Sequence, residues 1–368
     1  MIYFDHNATT PIDPRVVEVM MPYLSAFYGN PSSLYRMGRI ARSAIDTARE
    51  QVAALVGALP AEIVFTSGGT EANNLVMQGN GCNAVVAISS VEHPSVMESA
   101  SYSQRVLTLP VNKQGLLAFN DVVSLFEQPV PPGLVSVMLA NNETGAIQNI
   151  NEIALFLKGK ATLLHTDAVQ AIGKIPVDFA GLSVDLMTIS SHKIYGPKGC
   201  GALVFNKHSC EIKPVLIGGG QEGSRRAGTE NVAAIVGFGK AAELARLELD
   251  QRSSHCLKLR KQLEQGLKRL PGLVIFSEQV DRLPNTVQFA IEGVDGEMLL
   301  MQLDQNNIAV SSGSACASGG GKASSVLLAM GIEPQLAKGA VRISLGKDNT
   351  EVEITKFLEV LKSIVIKE

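Results

Sequence analysis

The sequence predicts an α/β protein: a large, mostly parallel sheet covered by helices, followed by a smaller α+β part. Three observations carry this. Short apolar segments alternate with helix-period segments for most of the length. Polar clusters come directly after those apolar segments, where open α/β sheets place their ligands. After about residue 245 the alternation gives way to longer helices and fewer strands. At 368 residues the chain exceeds what one compact core holds. The expected division is a large unit over 15–245 and a small one made of 1–14 with 246–368.

Asp13-Pro14 reads as an N-cap and first helical turn leading into residues 15–28. Residues 39–56 carry Ile40, Ala44, Ile45, Ala48, Val52 and Leu55 at helical spacing, and Gly57 stops the helix. Strands are expected at 63–65, 85–88, 134–139, 163–166, 186–189 and 202–205. A long charged helix is expected over 241–270. After it come a strand at 286–291, a helix at 297–305, a strand at 341–345 and a final helix.

Apolar residues make up 46% and charged residues 18% of the chain, as in an ordinary folded enzyme. A net charge of −3 gives no footprint for nucleic acid or an anionic membrane surface. No segment has the length of a bilayer span, and the start, Met1-Ile2-Tyr3-Phe4-Asp5-His6, lacks a signal-peptide pattern. A cytoplasmic protein is expected. Five scattered cysteines, Cys82, Cys200, Cys210, Cys256 and Cys316, form no C-x-x-C pair. A disulfide framework and a structural metal are both disfavoured.

Chemistry concentrates at three strand ends. Ser67-Gly68-Gly69-Thr70-Glu71 opens a helix, and its small residues let backbone N–H groups approach an anion. Alone, a plain turn with an N-cap reads the same way. In His165-Thr166-Asp167-Ala168-Val169-Gln170, the Asp can hold a ring nitrogen protonated and the Gln can donate to a neighbouring oxygen; a pyridine cofactor needs such an anionic partner. The plainer reading makes Asp167 a helix cap. Ser190-Ser191-His192-Lys193 supplies a lysine suited to Schiff-base chemistry, with Ser190 and His192 in reach of a phosphate. Each cluster has an ordinary explanation, but their joint occurrence in this order does not. Cys316 stands in a run of small residues ending in Gly319-Gly320-Gly321. That composition permits a mobile carrier loop.

On these residues the chain resembles the cysteine desulfurases of the NifS/IscS type, class V aminotransferase-like members of the fold-type I pyridoxal-phosphate enzymes. Further motifs carry the likeness over essentially the whole length. They include Asp5-His6-Asn7-Ala8-Thr9-Thr10, Glu92-His93-Pro94, Asn141-Asn142-Glu143-Thr144-Gly145, Arg226-Ala227-Gly228-Thr229, Ser311-Ser312-Gly313-Ser314-Ala315-Cys316 and Arg342-Ile343-Ser344-Leu345-Gly346. Lys322-Ala323-Ser324-Ser325 departs from the Glu-Pro-Ser-His usual after the loop.

The resemblance implies a seven-stranded main sheet, a homodimer and pyridoxal 5′-phosphate as cofactor. It implies that Lys193 carries the cofactor, Asp167 pairs with the ring nitrogen and Gln170 with the ring hydroxyl. His93 would lie against the ring and exchange protons. Gly69, Thr70, Ser190 and His192 would hold the phosphate, with Thr229 supplied by the second subunit, and Asn142 and Arg342 would hold the substrate carboxylate. The expected reaction converts L-cysteine to L-alanine and leaves sulfane sulfur as a persulfide on Cys316. That sulfur would pass to a protein acceptor, a scaffold or thiolation protein, in iron–sulfur cluster assembly or thiolation.

Overall fold

The structure is a computed structural model that describes residues 1–79, 85–312 and 323–365. Cys82 and Cys316 lie outside the described residues, as do Gly313 to Lys322 as a whole.

The strands in chain order are β1 (Ile2–Tyr3), β2 (Ile63–Thr66), β3 (Val85–Ser89), β4 (Arg105–Leu109), β5 (Leu134–Ser136), β6 (Leu163–Asp167), β7 (Leu186–Ser190) and β8 (Gly201–Phe205). After them come β9 (Leu273–Ile275), β10 (Thr286–Ile291), β11 (Ile308–Ala309), β12 (Ser311–Ser312) and β13 (Val341–Ser344). The main sheet has seven strands in the order β2-β8-β7-β6-β5-β3-β4. Only β8 opposes its neighbours, pairing antiparallel with β2 and β7. All the expected strands of this sheet are present. Strand β4 is not among the expected ones; it is an edge strand with three exposed residues, so it lacks the apolar run that marks the others.

The central strands are buried throughout, as a sheet covered on both faces requires. Alternation sorts their side chains. Ala202 and Val204 join one core with the helices Arg36–Val56 and Val232–Leu247, while Leu203 and Phe205 join the other with the helix Gly69–Gly79. The 134–139 segment leaves regular strand pairing after Ser136. Its backbone still bonds β6, with Val137 N donating to His165 O at 3.0 Å and Leu139 N to Asp167 O at 2.9 Å.

A second sheet, β12-β13-β10-β9, is antiparallel and has its own core around Phe4, Leu259, Leu263, Phe289, Ile343 and Phe357. The N-terminal segment belongs to that neighbourhood, because β1 pairs with β11 and Asp5 bridges to Ser344.

One sequence expectation is corrected. Residues 241–270 are not one helix but parts of two, Val232–Leu247 and Leu249–Leu267. The break is Glu248 (φ −104°, ψ 9°), whose carboxylate takes Arg15 and Arg252, both at 2.7 Å. The first helix packs on the main sheet through Phe238, Ala241 and Leu244, and the second on the other core through Cys256, Leu259 and Leu263. A shared helical period hides that change of partner. Among the described residues no helix is long and apolar enough to cross a membrane.

Candidate active site

The three clusters meet at the C-terminal ends of β2, β6 and β7. Strand β2 runs into Ser67 and the helix Gly69–Gly79. Ser67, Gly68, Gly69, Thr70, Ser190 and His192 share a cavity of ≈ 390 Å³ that Lys198 also lines. A Cβ on Gly69 would come within 3.1 Å of a Val169 methyl, a tight contact that the valine would have to yield to. The Ser190 hydroxyl is buried with no partner, and His192 is held near pKa 4 by burial and by Lys193, Lys198 and Lys174. His192 is therefore neutral at physiological pH, and Nδ1 meets Thr9 Oγ1 at 3.2 Å.

Asp167 ends β6, buried at 7% exposure. Oδ1 accepts from Val169 N at 3.0 Å and Oδ2 from Asn73 Nδ2 at 2.9 Å. The chain beyond Asp167 enters a turn, not a helix, which removes the plain capping reading. Asn73 Nδ2 also donates to Ser95 Oγ at 2.9 Å, and Ser95 Oγ lies 2.8 Å from His93 Nδ1. The backbone N–H of Ser95 donates to the same Nδ1 at 3.1 Å. Nδ1 is thus the acceptor, and a neutral His93 carries its proton on Nε2. Burial and Lys193 lower the His93 pKa while Asp167 raises it, with a net fall.

Lys193 closes a 3₁₀ turn after β7. Its Nζ donates to the carbonyls of Asn7 (2.5 Å) and Ala8 (2.7 Å). Gln170 Nε2 donates to the Asn7 carbonyl too, at 3.0 Å, and Gln170 Oε1 accepts from Lys174 Nζ at 2.7 Å. Arg342 sits in the middle of the second sheet on β13, 2% exposed. It donates to Asp5 Oδ1 at 2.7 Å and to the Asn142 carbonyl at 3.0 Å, and its Nε is buried with no partner. Asn7 Nδ2 donates to that same Asn142 carbonyl at 3.1 Å, tying Arg342 to Lys193.

The structure therefore gathers Lys193, Gln170 and the Asn142 carbonyl at Asn7, with Arg342 on that same carbonyl, while His93 faces Lys193 and Asp167; Gly69, Thr70, Ser190 and His192 line the cavity beside Ala8 and Thr9. Thr229 is exposed and is not among the residues lining that cavity. Sequence reasoning missed Asn7, Asn73, Ser95 and Lys174 as site residues. Asn7 stands inside the Asp5–Thr10 motif, but nothing in its type or spacing announces its role.

Two buried carboxylates flank the site. Glu92, before His93, is pushed up to about 8, chiefly by burial. Glu143, after Asn142, is pushed up to about 7 for the same reason, and it accepts from Ser324 Oγ at 2.5 Å and Gln288 Nε2 at 3.0 Å.

The donor set fits a phosphate-bearing pyridine. The cup offers an unpartnered serine hydroxyl, backbone N–H groups at a helix start and the cation Lys198; the Glu71 carboxylate also lines it, but is held by Arg226 and the Ser67 N–H. A buried carboxylate and a lysine amine suit the ring. Residues 2–357 match the family described as aminotransferase class-V. The cysteine desulfurase IscS of Methanosarcina thermophila is 41% identical over 375 residues, covering 100% of this chain and 92% of that protein. The structure of a NifS-like protein from Rickettsia africae superposes with a TM-score of 0.92 at 40% identity, covering 99% of each chain. A structure of SspA in complex with cysteine superposes with a TM-score of 0.81 at 30% identity, over 95% of this chain and 100% of that one. With the whole chain aligned and the lysine, the carboxylate and the anion cup in one place, this protein belongs to the class-V aminotransferase family and, within it, to the cysteine desulfurases.

Proposed function

We propose that Lys193 holds pyridoxal 5′-phosphate as a Schiff base and that the site transfers the sulfur of L-cysteine to Cys316, releasing L-alanine. The observation that carries this is that the Lys193 amine and the Ser67–Thr70 cup both meet the Asn7–Thr9 segment, and that His93 faces both Lys193 and the Asp167 carboxylate. When bound, pyridoxal phosphate supplies an electron sink for negative charge at the carbon bearing the amino group.

The chain's own residues then have distinct tasks. Asp167 keeps the ring nitrogen protonated, fixed by Asn73 and Val169 N. Gly69, Thr70, Ser190 and His192 hold the phosphate, and Thr229, exposed on this chain, reaches the cup of a second copy. Gln170 serves the ring hydroxyl once its amide turns from Asn7. Arg342 and Asn142 bind the substrate carboxylate, for which a guanidinium fork is the matching shape. Lys193 takes the proton from the substrate α-carbon, and His93 delivers or receives protons at Nε2. The Cys316 thiolate attacks the substrate sulfur; as that bond forms, the carbon–sulfur bond breaks and its electron pair stays with carbon, which is protonated to alanine.

A homodimer is the natural state for this surface. Met21, Leu24, Tyr28, Leu34 and Tyr35 are all more than half exposed along one stretch of chain, an apolar patch that calls for a partner. The two cores support a division at 15–245 against 1–14 with 246–368. The enzyme works in the cytoplasm and hands its sulfur to a protein acceptor, a scaffold or thiolation protein, in iron–sulfur cluster assembly or thiolation. The test is intact mass after incubation with cysteine. One added sulfur, lost on Cys316→Ala together with alanine formation, is the expected result. Full-rate alanine formation by C316A would replace this reading with a lyase or transaminase on the same fold.

A further inference from the structure

Behind Lys193 lies a second lysine that the roles above leave unused. Lys174 is part-buried. Its Nζ donates to Asn7 Oδ1 at 2.9 Å and to Gln170 Oε1 at 2.7 Å. Among the described residues no carboxylate forms an ion pair with it. The groups that face it are Lys193, Arg342 and Cys256, and it borders a small cavity with His6, Arg252 and Lys347. Of these neighbours, Arg252 is balanced by Glu248 and Lys347 by Asp13.

An amine drawn out of water with no ion pair is costly to keep, and this one is spent on two residues that meet at the Asn7 carbonyl, where Lys193 donates: Asn7 itself and Gln170. Asn7 is bonded at both ends: its side-chain oxygen takes Lys174 and its backbone oxygen takes Lys193. Gln170 spans the same gap, accepting from Lys174 and donating to the Asn7 carbonyl at 3.0 Å. We infer that Lys174 is a positioning residue for Lys193: it fixes Asn7 and Gln170 in the arrangement that receives the Lys193 amine, and its proximity opposes a positive charge on the Lys193 nitrogen. The electrostatic half rests on geometry: the two amines meet the same residue, Lys174 at the Asn7 side-chain oxygen and Lys193 at its carbonyl, so a charge on one opposes a charge on the other. A lysine that must serve as an amine and then as a base needs such help to shed its proton near neutrality.

This inference rests on the reading of Lys193 as the cofactor-bearing lysine, and the experiment separates the two. Holoenzyme is titrated with pH while the absorbance of the lysine-linked chromophore is followed, and borohydride reduction with peptide mass identifies the lysine. If wild type carries pyridoxal on a lysine other than Lys193, the cofactor assignment fails before Lys174 is tested. With Lys193 confirmed, K174M should move the chromophore midpoint upward by about one pH unit, the scale on which a close like charge acts. K174Q, smaller and still polar, should also move it upward, which covers the case in which K174M does not fold. K174R, keeping the charge, should return it toward wild type. A filler of space alone would leave the midpoint where it is. A midpoint that stays within about 0.2 unit of wild type in K174M or K174Q, or that falls, overturns the inference.

Discussion

Replacing Glu92 by Gln should make the protein more stable relative to wild type as pH rises, although it removes a carboxylate one residue from His93. Glu92 Oε1 accepts from Ser89 Oγ at 2.8 Å and from Met138 N at 2.7 Å, while Oε2 is buried with no partner. Burial lifts its pKa from 4.5 to about 8, with Asp167 adding to the rise. A pKa raised in the folded state means that the fold binds the proton more tightly than the unfolded chain. The contribution is complete below about pH 4.5 and is lost as pH climbs through 8. Integrated from pH 5 to pH 8, that loss is about 3 kcal/mol. Glutamine keeps the Oε1 acceptor and has no proton to lose. Its amide group takes the place of Oε2 and finds no acceptor, a cost of about 1–3 kcal/mol that does not change with pH. The discriminating quantity is therefore the slope. Urea unfolding of both proteins at pH 5, 6.5 and 8 should show E92Q gaining on wild type by about 3 kcal/mol across the range. At pH 6.5 the carbonyl-stretch infrared absorbance of protonated carboxyls should be weaker in E92Q than in wild type, with Glu143 supplying what remains. A stability difference flat to about 0.5 kcal/mol over these pH values would refute the buried, protonated Glu92.

Three further outcomes are expected. Lys193→Ala should lose the lysine-linked absorbance and the activity while still binding pyridoxal phosphate through the cup and Asp167, as equilibrium dialysis would show; retained turnover would remove Lys193 from the chemistry. His93→Ala should keep the cofactor and slow alanine formation by about a hundredfold, the usual worth of a general acid–base group; unchanged turnover would reduce the ring to packing. Cys200 and Cys256 are buried and their thiols are pushed up, Cys256 to about 11. At pH 8, Cys256 should alkylate about a hundredfold more slowly than in the unfolded chain, because only the thiolate reacts; rapid native labelling at Cys256, read by peptide mass, would contradict its burial.

The main sheet is legible in the sequence because its strands are buried on both faces and announce themselves as apolar runs bounded by polar ends. The edge strand β4 is not, since exposure dilutes its pattern. The two helices meeting at Glu248 read as one because helix-forming residues run from one into the other with no Gly or Pro at the junction; which core each faces is a tertiary fact. At the site, Lys193, Asp167 and the glycine-rich cup stand out because their chemistry is bound to residue type. Asn73 and Ser95 do not. Their work is to aim His93 through hydrogen bonds across 22 residues of sequence, and a buried asparagine or serine looks like any other until its partners are known. Lys174, four residues after Gln170, passes for a helical surface charge until the turn after Asp167 carries it inward.

Asn7 shows most plainly why such a site escapes a residue-by-residue reading. It is 1% exposed, and every polar atom it has is used. Its N–H donates to Ser344 Oγ at 2.9 Å, and its carbonyl accepts from Lys193 and Gln170. Its side-chain oxygen accepts from Lys174 and Asn285, and its side-chain nitrogen donates to the Asn142 carbonyl and to Thr286 Oγ1. These partners come from the main sheet's Lys193 and Gln170 and from β10 and β13 of the second sheet. A buried polar group left unpaired costs about 1–3 kcal/mol, so each sheet holds Asn7 and Asn7 holds each sheet to the other. The first ten residues are therefore no loose end. Through Asn7 they hold Lys193 and the Asn142 carbonyl that receives Arg342, and through Asp5 they hold Arg342 itself. The amine proposed to take the cofactor and the guanidinium proposed to bind the substrate carboxylate are placed by one short segment, so a shift of that segment would displace both ends of the proposed substrate site together.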